Sequence, residues 1–267
     1  MGNLGDLSAR ATATLKAVGT IACEDTRVTG GLLHRFGIAT PMLAYHDHNA
    51  ERMRPQIVSR LLEGQSFALV SDAGTPLISD PGYKLVTDCI ENGIGVIPIP
   101  GPSAPLTALM AAGLPTDRFY FGGFLPVKTK ARREMLNEIV GLKATLVFFE
   151  SPHRIDSTLA DMAAVLGERD AAVGRELTKL HEEFKRGTLS RLAQHYSTTQ
   201  TKGEIVIVIN GAPDVEAGPM IDVDEALRDA LKTMSVRDAA DEIAKVSGTP
   251  RREVYARALA LAKTRDD

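Results

Sequence analysis

The stretch Phe67-Ala-Leu-Val-Ser-Asp-Ala-Gly-Thr-Pro-Leu-Ile-Ser-Asp-Pro-Gly82 sets a short apolar run against a turn held by two glycines and two prolines, and a segment of helical period, 83–92, follows it. A strand that passes through a fixed loop into a helix is the unit of an α/β sheet, and open sheets of this kind place ligands at such strand ends. The loop is neither G-x-G-x-x-G nor G-x-x-x-x-G-K-[ST], so the two usual nucleotide fingerprints lend no support. An ordinary strand-to-helix connection would look much the same, and the residues alone weigh the two readings about equally.

The same alternation extends in both directions. Apolar runs at 20–23 and 95–99 read as strands beside 67–71, with helices at 7–17, 26–36, 50–62 and 103–112. Gly113-Leu-Pro-Thr-Asp117 supplies a helix stop and a connector, closing a first domain at 1–113 with a mainly parallel sheet. In a second domain, 114–212, strands are expected at 119–124, 144–149, 171–176, 183–187 and 204–209, with helices at 131–140 and 154–166. No long helical segment is evident between the last strands, so this sheet is expected to be mixed. Beyond Gly211-Ala-Pro213, the region 220–267 reads as three helices, 223–234, 236–246 and 250–263. Ser235 is placed to cap the second, and Thr249-Pro250 to start the third. This is a small appendage of helix-turn-helix type.

A length of 267 residues suggests about two domains. With 44% hydrophobic and 24% charged residues the chain is an ordinary globular protein. Thirty-one Lys and Arg against 34 Asp and Glu give a net charge of −3, so a nucleic-acid partner would need local basic patches. Cys23 and Cys89 are too few for a disulfide framework or a multi-cysteine zinc site, which suggests a reduced, cytoplasmic protein. Arg10 and Lys16 interrupt the first apolar stretch, against a secretory signal. The uncharged run 92–116 contains Pro98, Pro100, Pro102, Pro105 and Pro115, so it cannot be one membrane helix.

Several segments could carry chemistry. A second Gly/Pro loop, Pro98-Ile-Pro-Gly-Pro-Ser-Ala104, follows an expected strand, and two such loops on one sheet edge favour a shared pocket. Glu24-Asp-Thr-Arg27 emerges from a buried strand, although a capped helix start with an exposed ion pair explains it as well. His46 and His48 share a side if extended, but no further ligand is nominated, so no metal site is expected. Glu150, His153 and Arg154 meet at another helix start. Arg175-Glu-Leu-Thr-Lys-Leu-His-Glu-Glu183 is a dense ionisable run. Lys128, Lys130, Arg132 and Arg133 form a basic run suited to phosphate, or to plain solvation. Between 245 and 265 lie Lys245, Arg251, Arg252, Arg257, Lys263 and Arg265 against one acid, Glu253.

Gly2-Asn-Leu-Gly-Asp6, residues 24–27 and 45–49, the loop 72–82, Gly101-Pro-Ser-Ala104, Gly123-Phe-Leu-Pro126, residues 150–154 and 175–183, and Lys202-Gly-Glu-Ile205 together resemble the ribosomal RNA small subunit methyltransferase I family of the tetrapyrrole methylase superfamily. The resemblance runs from Gly2 to about Gly211, and the tail resembles that family's C-terminal domain. It implies a two-domain α/β protein of bacterial cytoplasm, commonly a homodimer, that binds S-adenosylmethionine between its domains. Such proteins methylate the ribose 2′-hydroxyl of cytidine 1402 in 16S rRNA of the small ribosomal subunit. Positions implied to contact the cofactor are Asp72, Ala73, Gly74, Thr75, Leu77, Ile78, Ser103, Ala104, Phe149, Leu177, Gly203 and Glu204. Family members usually carry an apolar strand before the Gly-Asn-Leu-Gly-Asp segment, which here follows Met1 directly; either the start is assigned too late or the strand is absent, and in the second case one wall of the cofactor pocket is expected to be missing.

A ribose hydroxyl needs a proton acceptor, and Asp25, Glu24, Glu150, His153 and Glu182 are candidates, with Asp25 and Glu150 favoured because buried strands fix them. Substrate contacts are expected from Arg27, His46, His48, Lys128, Lys130, Arg132, Arg133, His153, Arg154, Arg175 and Lys179. Two alternatives stay open: a precorrin-type tetrapyrrole methyltransferase, and a catalytically silent RNA-binding homologue.

Overall fold

Thr-Ile-Ala-Cys (β1, Thr20–Cys23) is buried at all four positions because it runs down the middle of a three-stranded sheet, between Met42–Ala44 (β2) and Phe67–Val70 (β3). The computed structural model describes residues 2–72, 74–213 and 222–263; the side chains of Lys245 and Lys263 are outside that description, as are Ala73 and Arg265, expected above as cofactor and RNA contacts. Both pairings of β1 are parallel, with Ile21 opposite Met42 and Ala68. All three carboxyl ends therefore point one way, and the loops after them converge on one edge. Around the sheet lie Ala9–Ala17 (α1), Thr26–Arg35 (α2), Ala50–Leu62 (α3) and Tyr83–Glu91 (α4). The cover is two-sided, as strand alternation demands: Ile21 and Cys23 pack with Leu15, Leu33 and Ile38, whereas Ala22 packs with Tyr45, Met53, Ile57, Leu85 and Cys89.

One expectation for this half is corrected, and one strand was not foreseen. Residues 95–99 form no strand: Pro98 donates no backbone hydrogen, and the outer edge of β3 faces a cavity of about 350 Å³ lined by Leu4, Leu7, Val70 and Ile99. β2 instead completes the sheet. With only three residues, one of them the exposed Met42, it offers little apolar pattern to read.

The second sheet holds Phe119–Phe124 (β4), Thr145–Glu150 (β5), Asp170–Arg175 (β6), Glu183–Thr188 (β7) and Ile205–Ile209 (β8) in the order β4-β5-β8-β6-β7. Only β4 and β5 are parallel, so the sheet is mixed. One face packs on Thr129–Glu138 (α6), Ile155–Leu166 (α7) and Leu189–Thr198 (α8) through Leu136, Leu159, Met162, Leu189 and Leu192. Helix α8 corrects the expectation that no long helix joins the last strands; Thr188 caps it by accepting from the Arg191 N–H. The other face receives Ala104–Ala112 (α5), whose Ala108, Leu109 and Ala112 pack with Val147, Ala172 and Val208. Helix α5 precedes the sequence boundary at 113 yet belongs by packing to the second sheet. Its small apolar side chains fit closely against the β-branched strand surface.

Both sheets fall within one compact unit, Met1–Ala212, and Pro213–Asp267 forms another. The latter contains Val223–Ala230 (α9), Val236–Ser247 (α10) and Arg251–Lys263 (α11) around Leu227, Ala239, Ala240, Val254 and Ala258. Ser235 caps α10 by accepting from the Asp238 N–H at 3.2 Å, and Gly248 closes it in a left-handed conformation, φ +69°. Among the described residues no helix is long and apolar enough to cross a membrane.

Candidate active site

All four non-glycine residues with positive φ among the described residues lie in two loops: Leu77 (74°) and Ser79 (63°) after β3, and Glu176 (49°) and Thr178 (66°) after β6. Each such residue costs on the order of 1–3 kcal/mol, and strain of this kind concentrates at ligand sites. The β3 loop also needs its glycines. Gly82 has φ +134°, and a Cβ there would stand 2.6 Å from Leu69 Cδ2. Thr75 Oγ1 donates to the Pro102 carbonyl at 3.0 Å, which ties this loop to the turn before Ser103 and Ala104. Ser79 Oγ lies 3.2 Å from where a Cβ on Gly123 would stand, so the loop abuts the irregular part of β4 between Phe121 and Phe124.

The residues expected around a cofactor thus form connected groups. Gly74, Thr75, Leu77, Ile78 and the exposed Asp72 share the β3 loop. Ala104 and Phe149 pack against the apolar cluster that buries Leu177. The Phe149 ring stands 5.0 Å from that of Phe121 and 5.4 Å from that of Phe124. Gly203 and Glu204 join Glu176, whose carboxylate accepts from the Glu204 N–H at 2.9 Å. Thr178 Oγ1 is buried without a hydrogen-bond partner.

The carboxylates divide by environment. Asp25 caps α2, accepting from the Arg27 N–H at 2.8 Å, and its Oδ2 lies 2.6 Å from Arg27 Nη2. The Arg27 side chain and backbone hold its carboxyl down at about 2. Asp25 is therefore ionised and committed, as the capped-helix reading has it. A nuclear magnetic resonance titration should find its midpoint near 2, and Arg27→Ala should move that midpoint up towards the ordinary carboxylate value. Because the folded value is depressed, the stability this pair lends is present above the unfolded value and is lost as pH falls towards 2. Glu24 behaves oppositely: burial first, then Asp72, Asp80 and Asp47, push its carboxyl up, with His46 opposing. Asp80, which the sequence did not nominate, is raised by burial first and then by Asp72 and Asp47. The His46 ring lies 6.0 Å from that of His48, and among the described residues no cluster suits a metal ion.

Several expected contacts prove to be internal. Glu150 has no exposed side-chain surface; it accepts from Arg154 Nε (2.8 Å), the Ser151 N–H (2.7 Å) and the Thr158 hydroxyl (2.6 Å). Its lone pairs are filled, which corrects its candidacy as proton acceptor and that of Arg154 as substrate contact. Arg132 is likewise corrected: it is buried, with Nη2 2.5 Å from Asp161 Oδ2. Arg133 is half exposed and shares Asp161 at 2.6 Å. Lys128 and Lys130 remain exposed, as does His153. Arg175 pairs with Glu183, and Lys179 with Glu176 and Glu204. In the tail Arg251 pairs with Asp241, and Arg257 with Glu253, which reduces the free basic surface expected there.

A parallel sheet and a mixed sheet in one unit, with strained loops at the strand ends, define an α/β protein. The model of Tetrapyrrole (Corrin/Porphyrin) Methylases matches residues 1–193, and that of the RsmI C-terminal HTH domain matches 218–262. Ribosomal RNA small subunit methyltransferase I of Mesorhizobium japonicum is 50% identical over 99% of this chain and 90% of its own length. The protein of that name from Halalkalibacterium halodurans is 45% identical over 96% of this chain and 90% of its own. Among solved structures, cobalt precorrin-4 methyltransferase superposes with a TM-score of 0.58 at 16% identity, over 78% of this chain and 90% of that one. This chain belongs to the tetrapyrrole methylase family, in its ribosomal RNA small subunit methyltransferase I branch.

Proposed function

We propose that this chain uses S-adenosylmethionine to methylate the ribose 2′-hydroxyl of cytidine 1402 in 16S rRNA. The reading is supported above all by full-length similarity to relatives named as ribosomal RNA methyltransferases. The residues present fit the cofactor. The β3 loop offers backbone groups around Gly74 and Thr75, the Ala104, Phe149 and Leu177 cluster offers an apolar wall, and the unpartnered Thr178 hydroxyl offers a polar contact. When bound, S-adenosylmethionine supplies a methyl group already activated on a sulfonium.

The chain's own residues then have to align the hydroxyl oxygen with that methyl group and take up the hydroxyl proton. Glu24 is the acceptor we assign in preference to Asp25 and Glu150, because it alone of the three is not neutralised by an arginine and its carboxyl is raised. We assign the exposed Lys128 and Lys130 to RNA phosphates, together with Arg27, whose side chain is 88% exposed beside the Asp25 cap. Homodimer formation and a cytoplasmic location belong to the same proposal.

Calorimetric titration of the full chain with S-adenosylmethionine tests it first. Binding with a dissociation constant on the order of micromolar is expected, followed by methyl transfer to small subunits lacking the modification. No binding, or transfer to a base instead of the ribose, would sink the reading.

A further inference from the structure

Glu176 stands one residue beyond the end of β6, in the left-handed region, where the sheet ladder no longer holds it. Its Oε1 accepts from the Glu204 N–H at 2.9 Å and from Lys179 Nζ at 2.9 Å. Lys179 Nζ also lies 3.1 Å from Glu204 Oε2, and the Glu176 N–H donates to the Glu204 carbonyl at 2.9 Å. Two carboxylates and the ammonium between them thus close a ring between the turn after β6 and the residues that lead into β8. Gly203 is shaped to this ring: with φ +93°, a Cβ there would stand 2.4 Å from Glu176 Oε1. The hydrogen bonds from Lys179 and from the Glu204 backbone hold the Glu176 carboxyl below the usual carboxylate range, so the ring stays ionised at neutral pH.

The sheet does not need this ring, because β6 and β8 are already paired up to Arg175 and Ile205. What the ring fixes is the loop that presents Leu177 and the unpartnered Thr178 hydroxyl, together with Gly203 and Glu204 opposite. We propose that Glu176 is a positioning residue for the methyl donor, latching the 176–179 turn to Gly203-Glu204 so that the two segments form one preorganised wall of the donor site. This inference rests on the proposed use of S-adenosylmethionine. Preorganisation lowers the ordering cost of binding, so its loss falls on donor affinity and not on the transfer step.

The test compares the wild-type chain with Glu176→Ala, Glu176→Gln and, as a surface control, Glu168→Gln, by titration with S-adenosylmethionine and by steady-state methylation of small subunits. Glu176→Ala is expected to weaken donor binding roughly tenfold and raise the donor KM in step, with kcat at saturating donor changed by less than about twofold and the subunit KM unchanged. Glu176→Gln keeps an acceptor for the Glu204 N–H but loses the charge facing Lys179, and should bind the donor about threefold more weakly. Glu168→Gln should match the wild type. Donor affinity in Glu176→Ala equal to wild type overturns the inference, as does a parallel loss in kcat and both KM values. Should Glu176→Ala not fold, Glu176→Gln decides: wild-type affinity in that variant overturns the latch. A wild-type chain that binds no donor overturns the proposed function itself, and the latch with it.

Discussion

Glu24→Gln is expected to lower kcat for ribose methylation by about 10²–10⁴-fold while leaving donor affinity within about twofold. Glu24 follows directly on β1, which is buried and paired on both sides, so the backbone that aims its side chain is firmly held. Its carboxyl is pushed up by burial and by Asp72, Asp80 and Asp47, which brings it closer to working pH than a free glutamate. Asp25, next in the chain, is driven the other way by Arg27 and makes a weaker base. The acid limb of the kcat/KM profile should therefore lie above the ordinary glutamate value of about 4.3. Linkage gives an independent sign. A carboxyl whose folded value is raised costs the fold stability once pH passes its unfolded value, so Glu24→Gln should be as stable as the wild type or slightly more so at neutral pH. Methylation of unmodified small subunits measured across pH, with calorimetry and thermal melts on the same variant, would check all four statements. A kcat within about threefold of wild type would remove Glu24 from the reaction and pass the role to Asp80.

The elements that sequence reveals best are those whose local chemistry suffices to make them. Thr20–Cys23 and Phe67–Val70 are short and largely apolar, the first followed by a capped helix start and the second by a Gly/Pro loop, and the fold uses them as strands. Residues 95–99 have the same apolar character but no neighbouring ladder, and nothing local tells a run with a partner from one without. Helix α8 did have a local signal, with Thr188 as cap and Leu189, Leu192 and Tyr196 at helical spacing. It was hidden because the helix begins at the next residue after a strand, with no loop to punctuate the change of period. At the site, the glycines and prolines of 72–82 announced a fixed loop. The left-handed backbone of Leu77, Ser79, Glu176 and Thr178 could not be foreseen, since such residues adopt it only when their surroundings impose it. Charge was the least legible property. Arg132 and Lys130 look alike in sequence, and only the packing of α6 against α7 shows that Asp161, 29 residues beyond Arg132, takes one of them out of solvent.

Glu150→Ala is expected to destabilise the fold by about 3–5 kcal/mol, because removing one partner of a buried ion pair leaves the other charge without compensation. The Glu150 side chain is fully enclosed at the end of β5, and Arg154 is only 21% exposed. Without the carboxylate, the Arg154 guanidinium keeps a single bond to the Leu125 carbonyl at 3.0 Å, and the Thr158 hydroxyl loses its 2.6 Å acceptor inside α7. The loss should appear as a lower denaturation midpoint in urea at unchanged slope. The double variant Glu150→Met, Arg154→Met should recover much of it, since a buried pair replaced by apolar side chains of similar volume is often neutral. This separates structural from chemical roles at Glu150, which ends β5, and Glu24, which follows β1. Below its lowered melting temperature, Glu150→Ala should retain kcat within about threefold, whereas Glu24→Gln should melt normally and fail to transfer methyl. Normal stability with collapsed kcat in Glu150→Ala would reverse the assignment. It would require the Glu150 to Arg154 pair to open when RNA binds, because in the closed pair every carboxylate oxygen already has its donor.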